Sequence, residues 1–253
     1  MAFLPPQNPN KLSPSQVLSE ALAMFRENVG TFISAGVVSS AIMAAVQLPG
    51  LLLEGMAEER VKLFSGLLFI VSMLISLAVH AGLITISLEL FQGLKPKVTR
   101  IFETQSCYLS VLAASLIFMG LIIPYALLAA IAAGLGPFGV LLMLILIPAM
   151  AITLVRYRFA IFLVIDLLFK PLTAIQASPR LSGDCIFQVI AVELLCLLVQ
   201  APYIMTAMSG QMVISHVLLI FTLPLTICIQ TRMYIRLRDE SSLADFGVPD
   251  NQQ

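Results

Sequence analysis

Apolar positions along this chain come in long unbroken runs, not in alternation. A run of about 20 apolar residues crosses a hydrocarbon core of about 30 Å as a helix. Six runs have that character, near Val29–Leu53, Leu63–Phe91, Tyr108–Ala133, Pro137–Arg158, Ile186–Met208 and Val213–Tyr234. The fourth is clearly apolar only as far as Val155. Backbone groups in lipid must be satisfied within the segment, so the runs predict helices. A membrane barrel would need short strands of alternating polarity, and the sequence offers none. The expected fold is all-α: a polytopic membrane helical bundle of six transmembrane helices, forming one domain over residues 1–253.

Composition agrees with that reading. Of 253 residues, 59% are hydrophobic and 11% charged, against roughly 25% charged in ordinary soluble domains. Mean hydropathy is +1.00. Fourteen basic and fourteen acidic residues give no net charge. Phosphate binding along a nucleic acid needs a basic excess, so that partner is not expected. Tryptophan is absent, leaving Tyr and Phe for any interfacial belt. Cys107, Cys185, Cys196 and Cys228 lack CxxC spacing and read as buried thiols. No cofactor or metal is implied. The leading stretch carries Pro, Asn and Lys without a long apolar run, so it does not read as a cleavable signal.

The zero net charge hides an asymmetry. Lys11, Arg26, Lys95, Lys97, Arg100, Arg156, Arg158, Lys170, Arg180, Arg232, Arg236 and Arg238 fall on one side of the six runs. Only Arg60 and Lys62 fall on the other, beside Glu54, Glu58 and Glu59. The positive-inside rule then puts both termini in the cytoplasm of a multi-pass inner (plasma) membrane protein.

Three segments on that side start at a proline and lead into a span. They are Ser13-Pro14 to Asn28, Lys95-Pro96 to Ser106, and Lys170-Pro171 to Asp184. In the first, Val17, Leu18, Ala21, Leu22 and Phe25 share one helical face. That predicts an amphipathic helix over 13–28, lying at the headgroups with its apolar face towards lipid. Pro179 should interrupt the third segment. The three segments suggest a repeat of interfacial helix plus hairpin. The run Phe159–Ile165 is too short to span and should extend the fourth helix or lie along the inner surface. Residues 1–12 and 239–253 are expected to be flexible ends.

Polar groups inside the runs are the candidate chemistry, because charge in the bilayer core is costly. Glu193 sits roughly 12–14 Å beyond Asp184, and His80 roughly 16–18 Å from Phe91, at the helical rise. Their similar depths suggest a His80–Glu193 pair, serving ion movement or helix packing. Glu89, Arg156 and Arg158 lie near one end of the spans. Plain snorkelling of the arginines to the interface, an ion pair of Glu89 with one of them, or lipid-headgroup binding by Arg156 and Arg158 are the readings open, with Asp166 nearby. Pro124, Pro148, Pro202 and Pro224 invite kinks. Gly36-Ser40-Ala44 and Ala126-Ala130-Gly134 form small-residue stripes suited to close helix packing.

Some of these residues carry a resemblance. The run Val155-Arg156-Tyr157-Arg158-Phe159-Ala160, then Val164-Ile165-Asp166, then Pro171, Ala174, Ser178 and Gly183, resembles a signature of a family of prokaryotic membrane proteins. That family includes the membrane domain of some glycerophosphoryl diester phosphodiesterases, and free-standing inner-membrane proteins of similar architecture. Phe91-Gln92-Gly93-Leu94-Lys95-Pro96 with Ile101-Phe102 is similar to a second element, where Gln92 replaces the family's basic residue. The opening amphipathic helix and Asn28 are similar too. The resemblance implies a fold and not a catalytic activity. The phosphodiesterase chemistry belongs to a separate barrel of about 250 residues, for which this chain has no room. The expected function is a non-enzymatic, lipid-associated membrane protein of envelope homeostasis, with membrane lipids as partners and protein partners unspecified. The rival expectation is a small transporter or channel using kinked helices and His80 with Glu193. An embedded enzyme ranks last, since no catalytic set converges.

Overall fold

A computed structural model describes residues 12–53, 59–103, 105–183 and 185–240, with all side chains among them except those of 47–53, 59–67, 69, 105–106 and 240. Every regular element among the described residues is helical. In chain order these are α1 (Pro14–Glu27), α2 (Val29–Leu53), α3 (Glu59–Phe91), a 3₁₀ turn (Val98–Phe102), α4 (Gln105–Ala133), α5 (Pro137–Tyr157), α6 (Ala160–Asp166), α7 (Pro171–Ser182), α8 (Ile186–Met208) and α9 (Met212–Glu240). Six of them, α2, α3, α4, α5, α8 and α9, are long and apolar enough to cross a membrane. The chain is an all-α, multi-pass membrane protein. Lys11, Glu54, Glu58, Asp184 and most of both expected flexible ends lie outside the described residues.

The chain divides into two compact units. One comprises Met1–Val17, Leu109–Glu193 and Met233–Gln253; the other comprises Leu18–Tyr108 and Leu194–Arg232.

In the second unit, α3 packs against α2 and the 3₁₀ turn. Its buried core runs along α3 from Val79 to Leu90, with Phe32, Ala35, Ile227 and Ile229. The first small-residue stripe works as helix contact. At Gly36 an added Cβ would stand 2.1 Å from the Ile220 carbonyl oxygen. One turn on, the Ser40 hydroxyl donates to the His216 carbonyl at 2.9 Å. On the apolar face of α1, Val17 and Ala21 are fully buried, while Leu18, Leu22 and Phe25 are half-buried. Phe25 stacks on Phe32 with ring centroids 5.1 Å apart.

In the first unit, α7 packs against α5 and α6. Phe159, Phe162 and Leu163 are buried with Ala174, Leu181, Val189 and Val192. The run after α5 continues the fourth candidate span as far as Asp166, as one of the two expectations for it had it. A turn at Arg158–Phe159 separates it as α6, whose apolar side chains are core. Tyr125 and Thr153 join α4 to α5 through hydroxyls 3.0 Å apart.

Several expectations are corrected. The second proline-led segment is a 3₁₀ turn and not an amphipathic α-helix; β-branched Val98, Thr99 and Ile101 are weak helix formers in so short a stretch. Helix α7 runs through Pro179 to Ser182. Proline there removes one hydrogen bond, and the Ser178 hydroxyl beside it is held by the Arg156 carbonyl at 2.7 Å. Helix α9 continues beyond Tyr234 to Glu240, because Tyr234, Ile235 and Leu237 are buried. The stripe Ala126-Ala130-Gly134 is exposed and unused for packing.

The glycines separate close packing from mere helix propensity. Gly36→Ala should cost at least about 1–3 kcal/mol through overpacking against a backbone carbonyl. Gly30, with nothing within 4 Å of an added Cβ, should accept Ala with a gain of up to about 1 kcal/mol. Thermal midpoints of both variants in detergent check this; equal shifts would contradict the packing described.

Candidate functional site

Charged side chains gather at the ends of the spans, each anchored by a helix terminus or turn. In the first unit Asp166 ends α6 with its side chain 7% exposed. It accepts a hydrogen bond from the Tyr234 hydroxyl at 2.8 Å and one from Arg238 Nη1 at 2.6 Å. Arg238 also reaches Asp239 at 2.9 Å. The Tyr234 ring is fully buried and stacks on Phe162 at 5.2 Å. Asp166 is therefore a structural acceptor: two donors satisfy a carboxylate that would be costly to bury alone.

Arg158 and Glu193 form the other pair of this unit, with Nε 2.7 Å from Oε1. The approach is a charge contact without hydrogen-bond alignment along that line. Glu193 thus has an arginine as a counter-charge. The long guanidinium arm at the end of α5 spans a depth that residue counting treats as a barrier. Arg156 is exposed, and its described bond is through its backbone carbonyl to Ser178.

In the second unit, Glu89 pairs with Arg100 at 2.7 Å, and Arg100 Nη1 reaches Glu103 at 2.6 Å. This corrects the expected pairing of Glu89 with Arg156 or Arg158. Arg100 is brought back to Glu89 by the turn after α3, a folding-back that periodicity cannot show. Its hydrogen bonds to Glu103, then to Glu89, raise the guanidinium pKa above its ordinary value. Arg232 binds Glu20 of α1 at 2.6 Å and lies over the Phe91 ring at 5.6 Å. The Cys228 thiol donates to the Ala21 carbonyl at 3.4 Å. His216 Nδ1 sits 2.9 Å from the Met212 carbonyl within its own helix.

Two cavities open in this unit. One, of about 180 Å³, brings together His80 and Ser76 of α3 with Gln200 and Tyr203 of α8, among apolar Met43 and Leu223. His80 therefore faces neutral hydrogen-bonding side chains. The other, of about 310 Å³, is almost wholly apolar and lies beside the 3₁₀ turn. Sequence reading missed both. The polar residues of the first come as two pairs on helices far apart in the chain, Ser76 with His80 and Gln200 with Tyr203, and the second contains no polar signal.

No cluster of His, Cys, Asp and Glu among the described residues could hold a metal ion. The four cysteines are free thiols. No protein-family model, curated protein or solved structure matches this chain.

The Asp166 anchor makes a quantitative expectation. Removing one partner of a buried ion pair costs about 3–5 kcal/mol. Arg238 keeps Asp239 and is 25% exposed, so Asp166→Ala should cost less, about 2–3 kcal/mol. Tyr234→Phe should cost about 1 kcal/mol. A double-mutant cycle on thermal stability should show coupling between the two; strict additivity would count against a shared network.

Proposed function

We propose that this chain is a non-enzymatic protein of the inner membrane, with both termini in the cytoplasm, that engages anionic lipid at its cytoplasmic face. The observation that carries the reading is a division of labour among the basic side chains. Arg100, Arg158, Arg232 and Arg238 are spent on carboxylates of the protein itself. Arg26, Lys95, Lys97, Arg156 and Lys170 are exposed, and no ion pair is described for them. Near the three lysines stand large exposed apolar residues: Leu94 and Phe102 in one segment, Leu168 and Leu172 in the other. Apolar side chains beside cations suit the headgroup layer of an anionic leaflet. Leu168 also adopts a left-handed backbone, φ 53°, which costs a leucine roughly 1–2 kcal/mol. A membrane contact for its 75% exposed side chain would offset that strain. The resemblance of Arg156–Asp166 and Phe91–Pro96 to the phosphodiesterase-linked membrane family supports a membrane role without chemistry of its own.

Mass spectrometry of lipid that co-purifies in mild detergent tests this. Anionic phospholipid should be enriched over zwitterionic lipid relative to the bulk membrane; bulk proportions would overturn the reading. An alkaline phosphatase fused at the C-terminus should be silent, and an active fusion would reverse the proposed orientation.

The His80 cavity favours a second reading, passage of a small polar solute or proton. Flux through proteoliposomes that disappears in His80→Leu, together with bulk lipid proportions, would put transport first.

A further inference from the structure

The apolar cavity beside the 3₁₀ turn has a built positive rim, and we infer that it holds one acyl chain of an anionic phospholipid whose phosphate sits at Lys95 and Lys97. The inference rests on the lipid-engaging reading above and names a site for it. The site begins where α3 ends. The chain turns at Gly93, φ 80°, and the Leu94 amide bonds back to the Glu89 carbonyl at 3.0 Å. From there the segment returns along α3. At Gly82 an added Cβ would lie 2.6 Å from the Ile101 Cα, so only glycine lets the turn lie flush on the helix. Ile101 is 2% exposed, and Arg100 clamps the turn to Glu89.

That docking leaves a slot of about 310 Å³ between Ile42 of α2, Ile75, Ala78 and Val79 of α3, Phe102 and Tyr108. The size is at the lower end of ligand pockets. Tyr108 spends its hydroxyl on the Leu74 carbonyl at 2.9 Å, so it offers the slot an apolar ring. A slot so lined suits hydrocarbon and repels water. Lys97 caps the 3₁₀ turn that Phe102 ends. At about 2 Å per residue the lysine stands roughly 10 Å from the slot's lip. That separation fits a phosphate at one end and an acyl chain at the other. Arg100 offsets one of the two charges of Glu89 and Glu103, and the two lysines outweigh the other, so the rim is net positive. A free anion would not fill the slot, and a neutral lipid would not use the rim.

The chain has no tryptophan, so Phe102→Trp at the exposed lip supplies a single fluorophore. In nanodiscs, brominated-chain phosphatidylglycerol should quench it more strongly than brominated-chain phosphatidylcholine at equal mole fraction. Equal quenching would overturn the site. Native mass spectrometry in mixed micelles gives the second arm. Wild type should retain phosphatidylglycerol, and Lys95→Gln with Lys97→Gln should weaken retention roughly 25-fold. Ala78→Phe, which fills the slot, should abolish retention. If wild type retains anionic lipid but Ala78→Phe and the double lysine variant retain it equally well, the site is wrong and the broader reading survives. If wild type retains no anionic lipid over phosphatidylcholine, both fall.

Discussion

A carboxylate facing an arginine ties α1, the 3₁₀ turn and α6 each to a membrane helix. Asp166 holds the end of α6 to Arg238 of α9. Glu89 of α3 holds the 3₁₀ turn through Arg100. Arg232 of α9 holds α1 through Glu20. Arg158, where α5 ends, meets Glu193 of α8. Apolar packing cannot do this alone, because lipid competes equally well for apolar side chains. A paired charge has no comparable partner in hydrocarbon, so it fixes which segment sits where. Arginine suits the role better than lysine: its planar fork donates along several directions and tolerates partial burial.

That constraint explains what the sequence could and could not disclose. The spans were legible because each is a run of apolar residues near the length of a bilayer. Ile186–Met208 was delimited as found. Amphipathic α1 was legible by its face, but not that Val17 and Ala21 would be buried within the protein. The folding-back at Gly93 was not legible, since the close approach at Gly82 is a property of two segments together. Among the candidate charged residues, Glu89 meets Arg100 and Glu193 meets Arg158, pairs that the sequence did not single out. Depth along one helix says little about a neighbour's long side chain reaching over from its end.

The same constraint bears on function. Once carboxylates have claimed the arginines at the span ends, the cations left exposed include every described lysine beyond α3: Lys95, Lys97 and Lys170. A lysine is a compact, strongly hydrated charge that suits the headgroup layer, where bidentate geometry is not required. The carboxylate pairs use Arg100, Arg158, Arg232 and Arg238, while Arg26 and Arg156 are exposed together with the three lysines, so the paired and the exposed cations can be substituted separately.

Amide hydrogen exchange of Arg100→Gln in nanodiscs tests the central claim, that arginine pairing places these segments, most directly. The account predicts that protection across Val98–Phe102 falls sharply while the buried stretch of α3 from Val79 to Leu90 keeps its own. Unchanged protection across Val98–Phe102 would mean that apolar docking alone holds the turn, and would contradict the account.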